Sequence, residues 1–333
     1  MNTFLISMPR GKCAALYAAA IIAVVPHYAA ACSSCGCNLG TEWADAGYAA
    51  APGFRADFRY DFINQNQLRT GTHAAVAADV ANAVNTGTVG EYQQDTLTRF
   101  YTLGLDYSFN HDWGVNLQLP YLARYHSTIA EPGTGQQDSS AEKGPSDVRL
   151  TVRYQGIFDD RSLGVQLGVK LPTGDFHQKF SSGPDAGAQL DRGLQLGTGT
   201  TDLILGVYHF ASLNRNWDHF EQAQVKAALD GREDFRPGAQ LTASAGLRYV
   251  GSTRFIPQLQ VNLKVEDRES GDPGQADIHN SGSRELALSP GLTYKPAKKV
   301  AIYGFVQLPV YRSYNGLQLS PSYIVSTGLR YSF

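Results

Sequence analysis

The chain has 333 residues, 43% hydrophobic and 17% charged, with a formal net charge of −2. Past the first thirty residues no run is apolar enough to cross a bilayer as a helix, and the near-neutral balance sets up no field for nucleic acid, so both classes are excluded. The 34 Gly, 18 Tyr and 15 Phe set against 2 Met favour strands and tight turns over packed helices.

Arg10 and Lys12 form a basic segment, an apolar run rich in Ala and Ile follows from Cys13 to Val25, and Ala29, Ala30 and Ala31 supply the small residues of a cleavage site. Residues 1–31 therefore read as a secretory signal peptide, too short in its apolar core for a stop-transfer helix. Cleavage after Ala31 removes two basic residues, takes the formal charge from −2 to −4, and leaves Cys32 as the new N-terminus. A first-position cysteine is what lipidation requires, but Ala29 stands where a lipobox has Leu.

Residues 32–53 read as a periplasmic tail. Cys32, Cys35 and Cys37 lie close enough for their thiols to share one soft ion such as Cu(I) or Zn, or to exchange disulfides. Three thiols are an odd set, and Cys13 leaves with the signal peptide. An oxidised or lipidated tail with no metal is the competing reading.

From Phe54 to Phe333 the chain repeats a segment of about ten residues that alternates apolar and polar, the period of a strand with two different faces. Twelve such segments are expected. They begin at Phe54, Leu97, Trp113, Val148, Leu163, Leu203, Phe220, Leu241, Phe255, Leu286, Val300 and Leu319. Tight links at 110–112, 159–162, 251–254 and 296–299 alternate with long ones at 69–95, 127–144, 173–199 and 268–283. Alternating short and long connections, with Tyr331 and Phe333 ending the last strand, predict a 12-stranded antiparallel outer-membrane β-barrel over residues 54–333.

The opposite parity carries Arg55, Asp57, Arg59 and Asp61, then Arg124, Asp147, Arg149, Arg153, Lys170 and Lys264. A barrel interior hydrates or pairs such a set, which a dry core could not bury cheaply. Asp147, Arg149, Arg153 and Lys170 fall on neighbouring strands and, with Arg124 and Lys264, are the candidate selectivity residues; a constriction selecting by sign and a salt-bridge lattice that stiffens the barrel are both open. The Ala-rich run from Ala74 to Val84 suits a short helix, either a plug or a cap on the rim.

Tyr125-His126-Ser127 and Asp175-Phe176-His177 fall near outer strand ends, where a barrel hydrolase keeps its nucleophile and base. Adjacent residues of a strand point to opposite faces, so both are read as rim polar residues and no catalytic set is assigned. The Gly-rich words flanking the loop at 173–199 are not phosphate loops, since no Gly-Lys-Ser/Thr follows.

The words Gly144-Pro145-Ser146-Asp147-Val148, Gly168 to Asp175, Gly197 to Asp202, Ser289-Pro290-Gly291-Leu292 and the Gly328 to Phe333 ending resemble those of the outer-membrane transporter-like proteins named for the MetA pathway of phenol degradation. The resemblance spans most of the barrel and implies a channel or transporter for small, aromatic or hydrophobic solutes. It supplies no catalytic residues, and the cysteine cluster is not among its features. The expected partners are outer-membrane lipid, the barrel-assembly machinery and a small solute. A periplasm-facing metal-binding or electron-transfer accessory, with the tail doing the chemistry, is the alternative, and an outer-membrane hydrolase the third.

Overall fold

The structure, a computed structural model, describes residues 52–89, 91–131, 134–272 and 274–333. The expected signal peptide, its cleavage point and Cys32, Cys35 and Cys37 lie outside the described residues. No described helix is long and apolar enough to cross a membrane, and most of the described chain runs as β-strands.

Those strands form one closed antiparallel ring. In chain order its members are β1 (Gly53–Gly71), β3 (Tyr92–Ser108), β4 (Trp113–Glu131), β6 (Val148–Tyr154), β7 (Leu163–Leu171), β8 (Asp202–Ser212), β9 (Trp217–Ala228), β11 (Gln240–Tyr249), β12 (Phe255–Glu266), β14 (Ser283–Ala297) and β15 (Val300–Ser332). Each pairs with its neighbour, and β15 closes on β1 from Arg55↔Ser332 to Gly71↔Tyr314. Closure leaves no open edge, the condition for a sheet to stand in lipid. Outside the ring, β2 (His73–Ala74) folds back on the end of β1, β5 (Gln136–Pro145) pairs with the upper half of β4, and β10 (Phe235–Arg236) pairs with β13 (Ser270–Gly271) in a separate ribbon.

The ring holds eleven continuous strands rather than the twelve expected. The difference lies in β15, where the segments expected at Val300 and Leu319 run as one extended element. Its two ends lie together, Ser332 N donating to Lys299 O at 2.9 Å, and Gly316 takes a φ of +60° where the chain turns back.

Period two is kept along the ring. On β12, Phe255, Leu259, Val261 and Leu263 are exposed on the outer wall while Ile256, Gln258, Gln260 and Asn262 are buried inside. Tight turns close one end through side chains: Asn110 Oδ1 accepts from Asp112 N and Trp113 N, both at 2.8 Å. Beside those turns sit cross-strand aromatic pairs: Trp113 with Tyr154 at 4.6 Å, Trp217 with Tyr249 at 5.3 Å and Phe255 with Tyr294 at 4.9 Å between ring centroids. Together with Phe54 on Phe333 at 5.1 Å they form the aromatic band of one membrane interface.

Several segments depart from expectation. Phe220 faces the lumen and is buried, because it shares parity with Gln222 and Gln224 and not with Ala223, Val225 and Ala227. Leu319 is likewise buried. Much of the loop expected at 127–144 is strand, since β4 runs on to Glu131 and β5 returns alongside it. The Ala-rich run forms helix α1 (Ala77–Asn85), none of whose residues is buried, so it lies on the rim and does not plug the lumen.

The wall is uneven. β1 and β4 have 19 residues each, whereas β7 has 9 and β8 has 11, close to the minimum of about 9–11 that spans a hydrocarbon core. Residues 172–201, between the two short strands, occupy the room the low wall leaves.

Leu205 faces outward at the middle of β8 and is 48% exposed. Leu205→Arg is expected to cost about 2–4 kcal/mol of folding free energy in vesicles, the depth-dependent penalty of a cation against lipid. An unchanged urea midpoint would place this face away from lipid.

Candidate functional site

Residues 172–201 first fold against β5 and then dip into the barrel. The first part is a small hairpin: Lys179 bridges Gln189, and Ser181 N donates to Ser139 O at 2.9 Å. Its hairpin is packed on Phe180, Leu190 and Leu194. The Gln195 carboxamide ties the limbs together, accepting from Gln178 N at 2.7 Å and donating to Leu190 O at 2.8 Å. The dip runs from Arg192 to Thr198 through one turn of 3-10 helix, Arg192–Leu194, with Leu194 and Leu196 buried.

A knot of three chain words holds the dip in place. Asp147 stands in the break between β5 and β6, and its Oδ1 accepts from Gly174 N at 3.0 Å. Its Oδ2 accepts from Lys170 Nζ at 3.0 Å, Thr198 N at 3.0 Å and Thr198 Oγ1 at 3.2 Å. Lys170 Nζ also reaches Asp202 Oδ2 at 3.1 Å and the Thr198 hydroxyl. Asp147, Lys170 and Asp202 are all buried. An ammonium between two carboxylates is compensated there, and the hydrogen bonds fill the remaining lone pairs, as a buried charge demands. Nearby, Ser146 Oγ donates to Leu196 O, while Thr173 Oγ1 donates to Ser146 O and accepts from Val148 N.

Two glycines make the approach possible. A Cβ on Gly174 would stand 2.8 Å from Gly197 Cα, and one on Gly197 would stand 2.4 Å from Asp147 Oδ1. From the neighbouring strand β4 Arg124 completes the clamp, its Nε donating to Thr98 Oγ1 at 3.1 Å and its NH1 to Gly193 O at 3.2 Å.

The candidate selectivity residues do not form one ring. Arg124, Asp147, Arg149 and Lys170 line a chamber of about 120 Å³ just beneath the dip, with Phe100, Leu122, Ile204 and Tyr208 among its apolar walls. Arg153 lies lower, toward the tight turns, paired with Asp106, which also holds Arg55. Lys264 sits on another wall with Glu266 Oε2 at 2.6 Å and Glu285 Oε1 at 3.2 Å. The rim histidines separate as well. His126 is fully buried in β4, bonded through Nδ1 to Thr96 Oγ1 at 2.8 Å, and His177 lies exposed at the loop end with Glu233 Oε1 at 3.2 Å.

Arg192, Asp202 and Thr198 are site residues that periodicity did not mark, Arg192 and Thr198 because they lie in a loop without alternation. Arg192 lines both the lower chamber and a second cavity above it. Its guanidinium stacks over Phe176 at 4.5 Å and Phe235 at 4.9 Å and donates to Arg232 O at 2.7 Å.

The upper cavity, about 570 Å³, is lined by Thr88 and Tyr92, by Gln189 to Arg192 and by Gly274 to Asn280. Glu91, Asp185, Asp191 and Asp277 line it, making an acidic vestibule over the dip. Desolvation and the neighbouring carboxylates push the Glu91 carboxyl up to about 8. Asp191 is open to cavity water but ringed by protein, and that enclosure, with Asp277 beside it, raises its carboxyl to about 6.

No family model and no curated protein sequence matches the chain. Solved structures do. An outer-membrane channel of Pseudomonas putida F1 superposes with a TM-score of 0.61 at 12% identity, covering 89% of this chain and 100% of that one. The transport unit of the autotransporter AIDA-I from Escherichia coli gives a TM-score of 0.48 at 11% identity over 91% of this chain and 95% of that one. A Pseudomonas aeruginosa FadL homologue gives 0.42 at 9% identity over 84% and 90%. The first likeness establishes the fold as that of an outer-membrane β-barrel; the other two, under 0.5, carry no argument.

Because Asp191 and Glu91 bind protons more tightly in the packed cap than in an unfolded loop, their contribution is fully present below about pH 4 and is lost as pH rises through about 6 and then about 8. Hydrogen exchange corrected for intrinsic rates should show residues 172–201 better protected at about pH 5 than at about pH 8.5. Equal protection would contradict the acidic vestibule.

Proposed function

We propose that the protein is an outer-membrane channel for small solutes, with residues 172–201 as its internal gate. The observation that carries this reading is the dip from Arg192 to Thr198 over a polar chamber inside a closed barrel, pinned by Asp147, Lys170 and Asp202. The Pseudomonas putida barrel with the same fold is itself an outer-membrane channel.

In this reading β15 counts as two passes, which restores twelve strands and returns both ends of the barrel to the side of the tight turns. That side is the periplasm, as short turns and long outer loops require. Solute enters at the acidic vestibule, passes Arg192 when the dip withdraws, and reaches the chamber. Phe100, Leu122, Ile204 and Tyr208 give the chamber apolar surface, and Arg149 and Gln166 give it polar handles. This mixture suits small aromatic solutes with a polar group, the class that the resemblance to the phenol-degradation transporters also suggests.

Removing one partner of a buried ion pair costs about 3 kcal/mol or more, because the remaining charge is left uncompensated. Asp147→Ala does this to Lys170 and frees Gly174 and Thr198 as well, so the dip should leave the lumen far more often. In planar bilayers the wild-type barrel should conduct in brief, small openings and the Asp147→Ala barrel in long, larger ones, with heat-modifiable gel migration confirming that both are folded. Absence of conductance and of liposome swelling in both proteins would overturn the channel reading.

A further inference from the structure

On the outer wall, close to the tight-turn end, three polar side chains take places that belong to lipid-facing residues. Leu203, Leu205 and Val207 occupy the outward positions of β8 and Ala223, Val225 and Ala227 those of β9. At the next outward positions the series changes to His209 on β8 and to Glu221 and His219 on β9. His209 and Glu221 are direct cross-strand partners, and His219 lies two residues before Glu221 on the same face. The three side chains are partly open, at 39%, 23% and 48% for His209, His219 and Glu221.

One carboxylate joins both rings. His209 Nδ1 lies 2.9 Å from Glu221 Oε2, and His219 Nδ1 lies 2.6 Å from Glu221 Oε1. The imidazole centroids are 5.5 Å apart, and one ligand atom from each of the three residues lies within 4.8 Å of the others. Two imidazole nitrogens and a carboxylate on adjacent strands of a rigid sheet match the donor set that takes Zn²⁺ or Cu²⁺, with water completing the coordination. A rigid pair of strands also spares the ordering entropy that a flexible loop would have to lose.

We infer that His209, His219 and Glu221 form a divalent-metal site of the zinc class on the outer wall of the barrel. It is separate from the lumen, since His209, His219 and Glu221 carry the outward parity of β8 and β9. A bound ion would cross-link β8 and β9 beside Trp217.

The test uses tag-free, full-length barrel in detergent carrying Cys32→Ser, Cys35→Ser and Cys37→Ser, titrated with Zn²⁺ alone by calorimetry and with Co²⁺ alone by visible absorption. The expected result is one saturable ion per barrel with the absorption of low-coordinate Co²⁺, lost in the His209→Ala/His219→Ala double variant and in Glu221→Gln. His209→Gln, with unaltered heat-modifiable migration, should also lose it while preserving the fold. Absence of saturable binding in the parent, or binding undiminished in folded double variant, would overturn the site.

Discussion

The buried carboxylate of Asp147 is the interaction on which the interior depends. It faces an ammonium, two backbone amides and a hydroxyl contributed by Lys170, Gly174 and Thr198. Asp147 itself sits just before β6, Lys170 and Gly174 at and just past the end of β7, and Thr198 on the limb that leads into β8, so one side chain fixes three stretches of the chain. Asp202 balances Lys170 from the other side. A carboxylate in such a place is tolerable only with every lone pair engaged, and the two close glycines exist because the three backbones must come that near to it. With the knot closed, the loop above the short strands has one path open to it, down into the lumen.

The rest of the interior is layered along the barrel axis by the same requirement that charge be met locally. Acidic groups line the vestibule, Arg192 separates it from the chamber, and Arg153 and Arg55 share Asp106 below. Near the tight turns, Asp57 takes Arg330 at 3.2 Å and the Tyr303 hydroxyl at 2.9 Å. The β12 wall differs: among the described residues the Gln258 and Gln260 side-chain amides have no protein partner. Buried amides of that kind call for water partners, so the β12 wall sets uncharged polar groups beside the charged ones.

Much of the wall was legible in the sequence, because lipid and lumen impose opposite demands on alternate residues and the alternation survives on nearly every strand. It failed at Phe220, where the large apolar residue sits on the lumen parity, and at the end of β4 paired with β5, where His126, Ser127, Thr128 and Ile129 are all buried and alternation is lost. The knot was half legible. Asp147, Lys170 and Arg124 could be assigned to the lumen by parity, and the three short words that meet at Asp147 could be noticed as words. That they meet could not be read, since it depends on how residues 172–201 return through space. Arg192 had no signal of its own, being a cation in a stretch of Gly, Leu and Gln. The pairing of His209 and His219 with Glu221 was equally hidden, because it needs the register between two strands that periodicity alone does not set.

The loop lies inside the barrel, held against the break after β5. A Cβ built on Gly144 stands 2.8 Å from Leu196 Cδ1, so thiols introduced by Gly144→Cys and Leu196→Cys, in a chain whose own cysteines are replaced by Ser, would face each other across that contact. Treating folded barrels in native outer membranes with a short thiol-reactive cross-linker measures the fraction joined. Near-complete cross-linking is expected, abolished when Asp147→Ala is added. Thiols that react singly with small reagents yet never join, in barrels whose strands are intact, would contradict it.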